Sequence, residues 1–329
     1  MERPAWRPRA DLATLRLRAE LLARVRAFFA ARGVLEVETP MLSAAAVTDP
    51  HLASFSTVYA GPGPRYGWTL YLHTSPEFPM KRLLAADSGC IYQIARVFRD
   101  GEAGRRHNPE FTLLEWYRVG FDHHRLMDEV AELVTVLLAG RLPPAKPERL
   151  SYRELFQRHL DLNPHRTSVA ELAARAKEQG VPIPLGMPLD DADPWLDLLL
   201  THCIEPRLGM GRLTFVYDYP ASQAALARLR LDDPPVGERF ELYLNGIELA
   251  NGFHELGDAD EQRRRFEAEN AARRGLGLPL MPMDENLLAA LAVGLPDCAG
   301  VALGFDRLVM LAAGKTTLAE VLAFPFERA

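Results

Sequence analysis

Residues 91–117 read IYQIARVFRDGEAGRRHNPEFTLLEWY, and this stretch decides how the rest of the chain is understood. Ile91–Phe98 is apolar, with β-branched and aromatic residues, and reads as a strand. Glu110–Tyr117 reads the same way. Between them lies a polar, glycine-bearing loop with Arg99, Glu102, Arg105, Arg106, His107 and Asn108. Two buried strands joined by so cationic a loop suggest an anion held over a sheet. Arg99 sits where a strand ends. Its charge cannot be lost, and its planar fork fits phosphate oxygens in pairs. Phe111 follows the loop and can present an aromatic face to a flat base. Any one of these arginines alone fits a solvated hairpin tip. Arg at a strand end, Asn-Pro-Glu-Phe and a second buried strand together point to a nucleotide site.

Composition sets outer limits. The chain has 329 residues, room for one large domain or two small ones, and 48% of them are hydrophobic, enough for a sizeable core. A net charge of -6 does not suggest a general nucleic-acid binder driven by phosphate attraction. Cys90, Cys203 and Cys298 are far apart and odd in number, without a C-x-x-C, so the cysteines indicate neither a disulfide framework nor a zinc site. The N-terminal MERPAWRPRADL lacks the apolar run of a signal peptide. No apolar segment is long enough and free enough of charge to span a bilayer. The expectation is a soluble cytoplasmic protein.

Upstream, Asp11 caps a predicted helix that runs to about Arg32 and stops at Gly33. A short strand, LEVET, follows and ends at Pro40. Ser54–Tyr59 and Trp68–His73 read as a hairpin. In HTSPEFPMKRLLA, Ser75 is a candidate cap for a helix with Pro76 first and Glu77 in its first turn. Glu77 fits capping and also fits holding an amine. Downstream, Asp122 opens an amphipathic helix ending near Gly140. His123 and His124 are adjacent, a poor spacing for metal ligands, and read as surface or capping histidines. Residues 141–149 are a proline-rich connector. Ser151-x-x-Glu154 and Ser168-x-x-Glu171 are capping boxes, and about 145–210 reads as a helical insertion rather than an independent domain.

ERFELYLNGIELANGFHEL is the second informative stretch. Asn245-Gly246 between apolar runs is a strong hairpin signal. Glu248 and Glu255 lie on its second strand, seven residues apart, so a regular strand points them to opposite faces. A bulge at Asn251-Gly252 would restore one face. Two acids in so apolar a hairpin are costly unless they meet cations. In GVALGFDRLVMLAAG, a short strand and a turn at Gly304 lead into an apolar helix with Arg307 at its start. A cation there opposes the helix dipole, which makes Arg307 a second phosphate candidate. Gly314-Lys315-Thr316 imitates the end of a P-loop, but Val309 stands where a glycine is required and the segment follows a helix. It reads as a helix C-cap.

Helix–strand–Pro40, strand–Arg99–loop–strand and strand–Gly304–Arg307–helix, in this order, resemble motifs 1, 2 and 3 of the class II aminoacyl-tRNA synthetases. FRDGEAGRRHNPEFTLLEWY and ELANGFHEL are closest to the lysyl branch. The resemblance covers nearly the whole chain, without room before Asp11 for the anticodon-reading OB-fold of bacterial lysyl enzymes. It therefore points to a truncated branch that joins (R)-β-lysine to a lysine of elongation factor P. It implies an α+β fold, a single catalytic domain over 1–329 with an antiparallel sheet flanked by helices, and a homodimer formed through motif 1. It implies attack of the amino-acid carboxylate on the α-phosphorus of ATP, with pyrophosphate released.

The same resemblance distributes roles. Arg99 stabilises charge on the α-phosphate and Arg307 holds the terminal phosphate. Phe111 stacks on adenine and Asn108 hydrogen-bonds the nucleotide. Asp100, Gly101, Glu102, His107, Leu249 and Gly304 complete the ATP set. Glu248 meets the nucleotide directly or through Mg2+, with Glu255 as the second metal carboxylate. Ser75, Pro76, Glu77, Tyr117, Glu255 and Ala302 line the amino-acid pocket, where Glu255 and Glu77 are the acids for a desolvated lysine-type ammonium. Two features depart from the lysyl pattern. Arg99-Asp100-Gly101-Glu102 replaces Arg-Asn-Glu, and Ala302 replaces Gly. The extra methyl would disfavour an α-amino group and tolerate one on the β-carbon, by about 1–3 kcal/mol. Alternatives are a free-standing enzyme that charges tRNA or makes a small amide, opposed by the acidic balance, and a non-catalytic regulator, opposed by the presence of Arg99, Glu248, Glu255 and Arg307.

Overall fold

The computed structural model describes residues 6–142 and 145–329. Residues 1–5, and with them the start of the N-terminal segment, lie outside the described residues, as do Pro143 and Pro144 of the proline-rich connector. The chain divides into two compact units, one of residues up to 120 with 257–298 and 302–329, the other of 121–256 with 299–301. Residues up to 120 hold α1 (Leu12–Ala30), β1 (Leu35–Glu36), β2 (Leu42–Ser43), β3 (Ser56–Val58), β4 (Thr69–Leu72), α2 (Glu77–Ala85), β5 (Ile91–Phe98) and β6 (Glu110–Val119). Residues 121–256 hold α3 (His123–Leu137), β7 (Glu148–Ser151), α4 (Tyr152–Leu160), α5 (Val169–Glu178), α6 (Asp193–Leu199), β8 (Thr214–Pro220), β9 (Leu229–Arg230), β10 (Val236–Leu244) and β11 (Ile247–His254). The remainder holds α7 (Ala259–Gly275), α8 (Glu285–Val293), β12 (Cys298–Gly304) and α9 (Phe305–Ala312).

In the first unit the strand order is β1-β5-β6-β12. Strands β5 and β6 pair antiparallel over their full length, from Ile91↔Tyr117 to Phe98↔Glu110. The sheet is mixed rather than purely antiparallel, because β1 joins β5 in parallel register. Facing pairs share a side of the sheet. One face of β6 therefore carries Phe111, Leu113, Glu115 and Tyr117, opposite Val97, Ala95, Gln93 and Ile91. The other face packs against α1, where Phe29 stacks on Tyr92 with ring centroids 4.4 Å apart and meets Trp116 edge-on. Helix α1 is capped by the Asp11 carboxylate, which accepts the Thr14 N–H. The β3–β4 hairpin forms in a separate three-stranded sheet with β2.

In the second unit the order is β11-β10-β8-β7, with β9 against β10. Here too the sheet is mixed, since β7 runs parallel to β8. Asn245 and Gly246 both take positive φ (52° and 66°), the backbone that a two-residue hairpin turn needs. Both capping boxes form, with each serine accepting the N–H of its glutamate three residues on. Helices α4, α5 and α6 share one core, including Tyr152, Phe156, Leu172 and Trp195, with Val216, Tyr219 and Tyr243 of the strands. At the far end of the chain, Gly314 takes φ +63 after α9 and the Lys315 N–H returns to the Met310 carbonyl. Gly-Lys-Thr is thus a helix terminus.

One half-buried acid in the first unit makes stability depend on pH. Glu269 on α7 accepts a hydrogen bond from Thr48, yet burial, with Asp49 nearby, pushes its carboxyl up to about 7. A carboxyl raised in the folded state contributes stability below its unfolded pKa and loses it as pH climbs through about 7. Glu269→Gln removes that loss. We expect its thermal midpoint to match wild type at pH 5 and to exceed it by about 1–3 °C at pH 8.5. An equal difference at both pH values would contradict this account of Glu269.

Candidate active site

The motif 2 loop is a closed hairpin tip. The Arg99 N–H bonds to the Pro109 carbonyl at 2.8 Å, the Asp100 N–H to the Ala53 carbonyl at 2.8 Å, and Gly104 bridges His107. Gly101 takes φ +79, which explains a glycine where the lysyl pattern has another residue. Arg99 leaves the end of β5 with its guanidinium 5.1 Å from the centre of the Phe111 ring. Glu102 approaches it, with Oε1 3.7 Å from Nη1. The loop thus uses Glu102 one position later than the lysyl pattern. A base that stacks on Phe111 shares the ring with Arg99 or displaces it.

Arg307 projects from the first turn of α9 toward this loop. Its Nη2 lies 2.9 Å from His107 Nε2, and its Nε donates to the Arg106 carbonyl at 3.4 Å. Partial desolvation and the neighbouring Arg307 hold His107 below the ordinary imidazole range. A neutral ring can accept from Arg307. Asp306 beside it is buried, pairs with Arg18 and accepts the Thr112 N–H at 2.8 Å. That pairing anchors the start of α9 to α1 and β6. Gly304 is the N-cap position of α9.

Asn108 is tied on both sides of its amide. It is buried; its Oδ1 accepts the Phe326 N–H at 3.0 Å and its Nδ2 donates to the Glu110 carbonyl. The amide pins the hairpin to the C-terminal segment.

The amino-acid residues of the first unit gather along one strand face. Pro76 rather than Ser75 is the N-cap position of α2, which starts at Glu77, and Ser75 just before it accepts the Glu77 N–H at 3.1 Å. Glu77 is engaged by the buried Lys81, with Nζ 2.7 Å from Oε1. A further acid meets Ser75 as well. Glu115 is 2% exposed, and its two oxygens accept from the Ser75 hydroxyl at 2.6 Å and the Tyr117 hydroxyl at 2.7 Å. Nothing in TLLEWY singled it out, because its partners are fixed only by folding. Ala302 packs with Ala95, Val97, Leu113 and Phe111, at the loop end of the same face.

The second unit holds the remaining acids. Tyr243 pairs with Glu248 but Leu242 pairs with Ala250, so Leu249 is the extra residue of a bulge. The bulge lies earlier than Asn251-Gly252, and its effect is the expected one. Facing pairs put Glu248 with Tyr243 and Asn251 with Glu241, so Glu248, Asn251 and, two residues beyond Phe253, Glu255 share one face. Gly252 is needed for another reason, since a Cβ there would sit 2.4 Å from the Phe240 ring. Arg239, absent from the sequence expectations, braces this face. Its Nε donates to Asn251 Oδ1 at 3.1 Å, and it pairs with Glu241, which also accepts the Tyr243 hydroxyl at 2.5 Å. Burial opposes the charge on Arg239, but Glu241, Tyr219, Glu248 and Tyr243 together outweigh it and keep the guanidinium firmly protonated.

In the first unit, a strand-end arginine over an aromatic ring and a second arginine at a helix start thus meet the same loop. The profile of the tRNA synthetases class II (D, K and N) matches residues 5–328, and the chain belongs to that family. Among curated relatives, the chain is 54% identical to the elongation factor P--(R)-beta-lysine ligase of Yersinia enterocolitica, covering 100% of this chain and 99% of the relative. It is 53% identical to the ligase of the same name from Vibrio vulnificus, over 98% of each, and 52% identical to that of Salmonella paratyphi B, over 100% and 99%. No helix among the described residues is long and apolar enough to cross a membrane.

Proposed function

We propose that the protein activates (R)-β-lysine with ATP and transfers it to a lysine side chain of elongation factor P, forming an amide bond in the cytoplasm. The end-to-end likeness to ligases of that name carries this reading. Arg99 stabilises the charge that builds on the α-phosphate as the carboxylate attacks, and Arg307 holds the phosphate end. Phe111 takes the adenine. Glu248 and Glu255, all-oxygen donors on one face, suit Mg2+, which when bound neutralises phosphate charge. Glu115, with Ser75 and Tyr117, receives the substrate's terminal ammonium. The exposed apolar Leu35, Met41 and Leu42, which follow α1 in the chain, support a homodimer built through this segment.

The direct test is mass spectrometry of elongation factor P after incubation with the protein, ATP and each lysine isomer. A β-lysyl mass gain is expected. Charging of tRNA with no change in elongation factor P would favour the free-standing synthetase, and absence of any pyrophosphate exchange would favour the regulator. Ala302 gives a sharper expectation. It lies beside Phe111 and Leu113, where the substrate carboxylate and its neighbouring amino group would be. Ala302→Gly should shift preference toward α-lysine by about 5–100-fold in pyrophosphate exchange, the range for one methyl group. An unchanged isomer ratio would remove Ala302 from the account.

A further inference from the structure

His123, read from sequence as a surface or capping residue, is 2% exposed, because the start of α3 lies over β10 and β11. Neither ring nitrogen makes a hydrogen bond. The nearest acid is Asp218, whose Oδ1 is 3.5 Å from Nε2. Asp218 sits in β8 with φ +58, where the pairing with β10 is irregular. A non-glycine residue held in that conformation marks strain that the surroundings impose. Across from His123 are Glu238 and His254, with Oε2 and Nδ1 2.6 Å apart. One donor atom from each of His123, Glu238 and His254 falls within 4.8 Å of the others. Arg230 reaches both carboxylates, Asp218 Oδ1 at 3.1 Å and Glu238 Oε1 at 3.6 Å. One guanidinium against two carboxylates leaves a negative charge when the imidazoles are neutral.

We propose that His123, Glu238 and His254 form a binding site for a divalent transition-metal ion, zinc above all, with Asp218 as a fourth donor. Two imidazoles and carboxylates are a zinc donor set, unlike the all-oxygen pair Glu248 and Glu255. Bond lengths of about 2.0–2.2 Å place donors roughly 3.3 Å apart around the ion. The wider pairs therefore close by about an ångström, and the His254–Glu238 hydrogen bond opens. The ring proton of neutral His254 moves from Nδ1 to Nε2 through solvent, and Nδ1 gives its lone pair to the ion. The ligands come from α3, β10 and β11, so the ion fastens the helix to the sheet. His254 points away from the face of Glu255, its neighbour in sequence, so the two sites share no ligand. The ion would thereby steady the strand end that carries Glu255.

The test uses the full chain, stripped of metal, in excess Mg2+ and without ATP. Titration with Co2+ should give one equivalent bound with the intense visible bands of a four-coordinate site. Zn2+ should abolish those bands and raise the thermal midpoint. His123→Asn and Glu238→Gln, each checked for folding by circular dichroism, should weaken binding by about 100-fold. Glu248→Gln should leave the bands in place. Absence of stoichiometric binding overturns the proposal. So does binding that survives either of the first two substitutions in a folded protein, or that disappears with Glu248→Gln.

Discussion

Arg99→Ala is expected to lower ATP–pyrophosphate exchange about a thousandfold, with the loss in kcat rather than in the KM for the amino acid. A donor aimed at charge that develops only in the transition state contributes about 3–4 kcal/mol, mostly to kcat. Arg99 is built for that use. Its backbone is fixed by the Pro109 carbonyl at the end of β5, and its guanidinium is held 5.1 Å above the Phe111 ring. Its ion-pair partner Glu102 stays 3.7 Å away, and its Nε donates to the Thr74 carbonyl at 3.5 Å. A cation held mainly by a ring face can turn to a phosphate without first breaking a close ion pair. Arg99→Lys keeps the charge and loses the planar fork, so it should recover only part of the rate. Exchange by Arg99→Ala within tenfold of wild type would mean that Arg99 does not meet the reacting phosphate.

Local signals in the chain announced much of this. The β5–loop–β6 hairpin, the Asn245-Gly246 turn, both capping boxes and the Gly304–Arg307 turn depend on residues a few positions apart, and each formed where it was read. What sequence could not give depends on partners that only folding supplies. Asn108 carries no local sign of its tie to the Phe326 N–H, which is 218 residues away. The bulge was expected at Asn251-Gly252, since glycine in a strand suggests one. It formed at Leu249, because register against β10 decides where a strand slips, while Gly252 answers the Phe240 ring. His123 looked wet because its neighbour is His124; its buried companions Glu238 and His254 are remote in sequence. Glu115 gives no local signal in the sequence. Its hydroxyl partner Ser75 lies 40 residues earlier.

Glu115 carries the second large expectation. It shares a strand face with Phe111, four residues and about 13 Å along β6. If Phe111 marks the adenine end, that distance leaves room for a phosphate and an extended side chain, which assigns Glu115 to the terminal ammonium rather than to the amino group near the carboxylate. Glu115→Gln preserves size and can still hydrogen-bond Ser75 and Tyr117, but it removes the charge. A desolvated ammonium left without its carboxylate loses about 2–5 kcal/mol. The KM for lysine or β-lysine in pyrophosphate exchange should therefore rise about 100–1,000-fold, with the KM for ATP little changed. Tyr117→Phe removes one neutral hydroxyl and should cost about tenfold or less. A substrate analogue with a hydroxyl in place of the terminal ammonium separates charge from shape. Wild type should use it poorly, and Glu115→Gln should no longer distinguish it from the amine, because the coupling between the two charges is gone. If Glu115→Gln keeps its KM for the amine within about threefold, the ammonium binds elsewhere, and Glu77 or Glu255 must take it despite the Lys81 partner that Glu77 already holds.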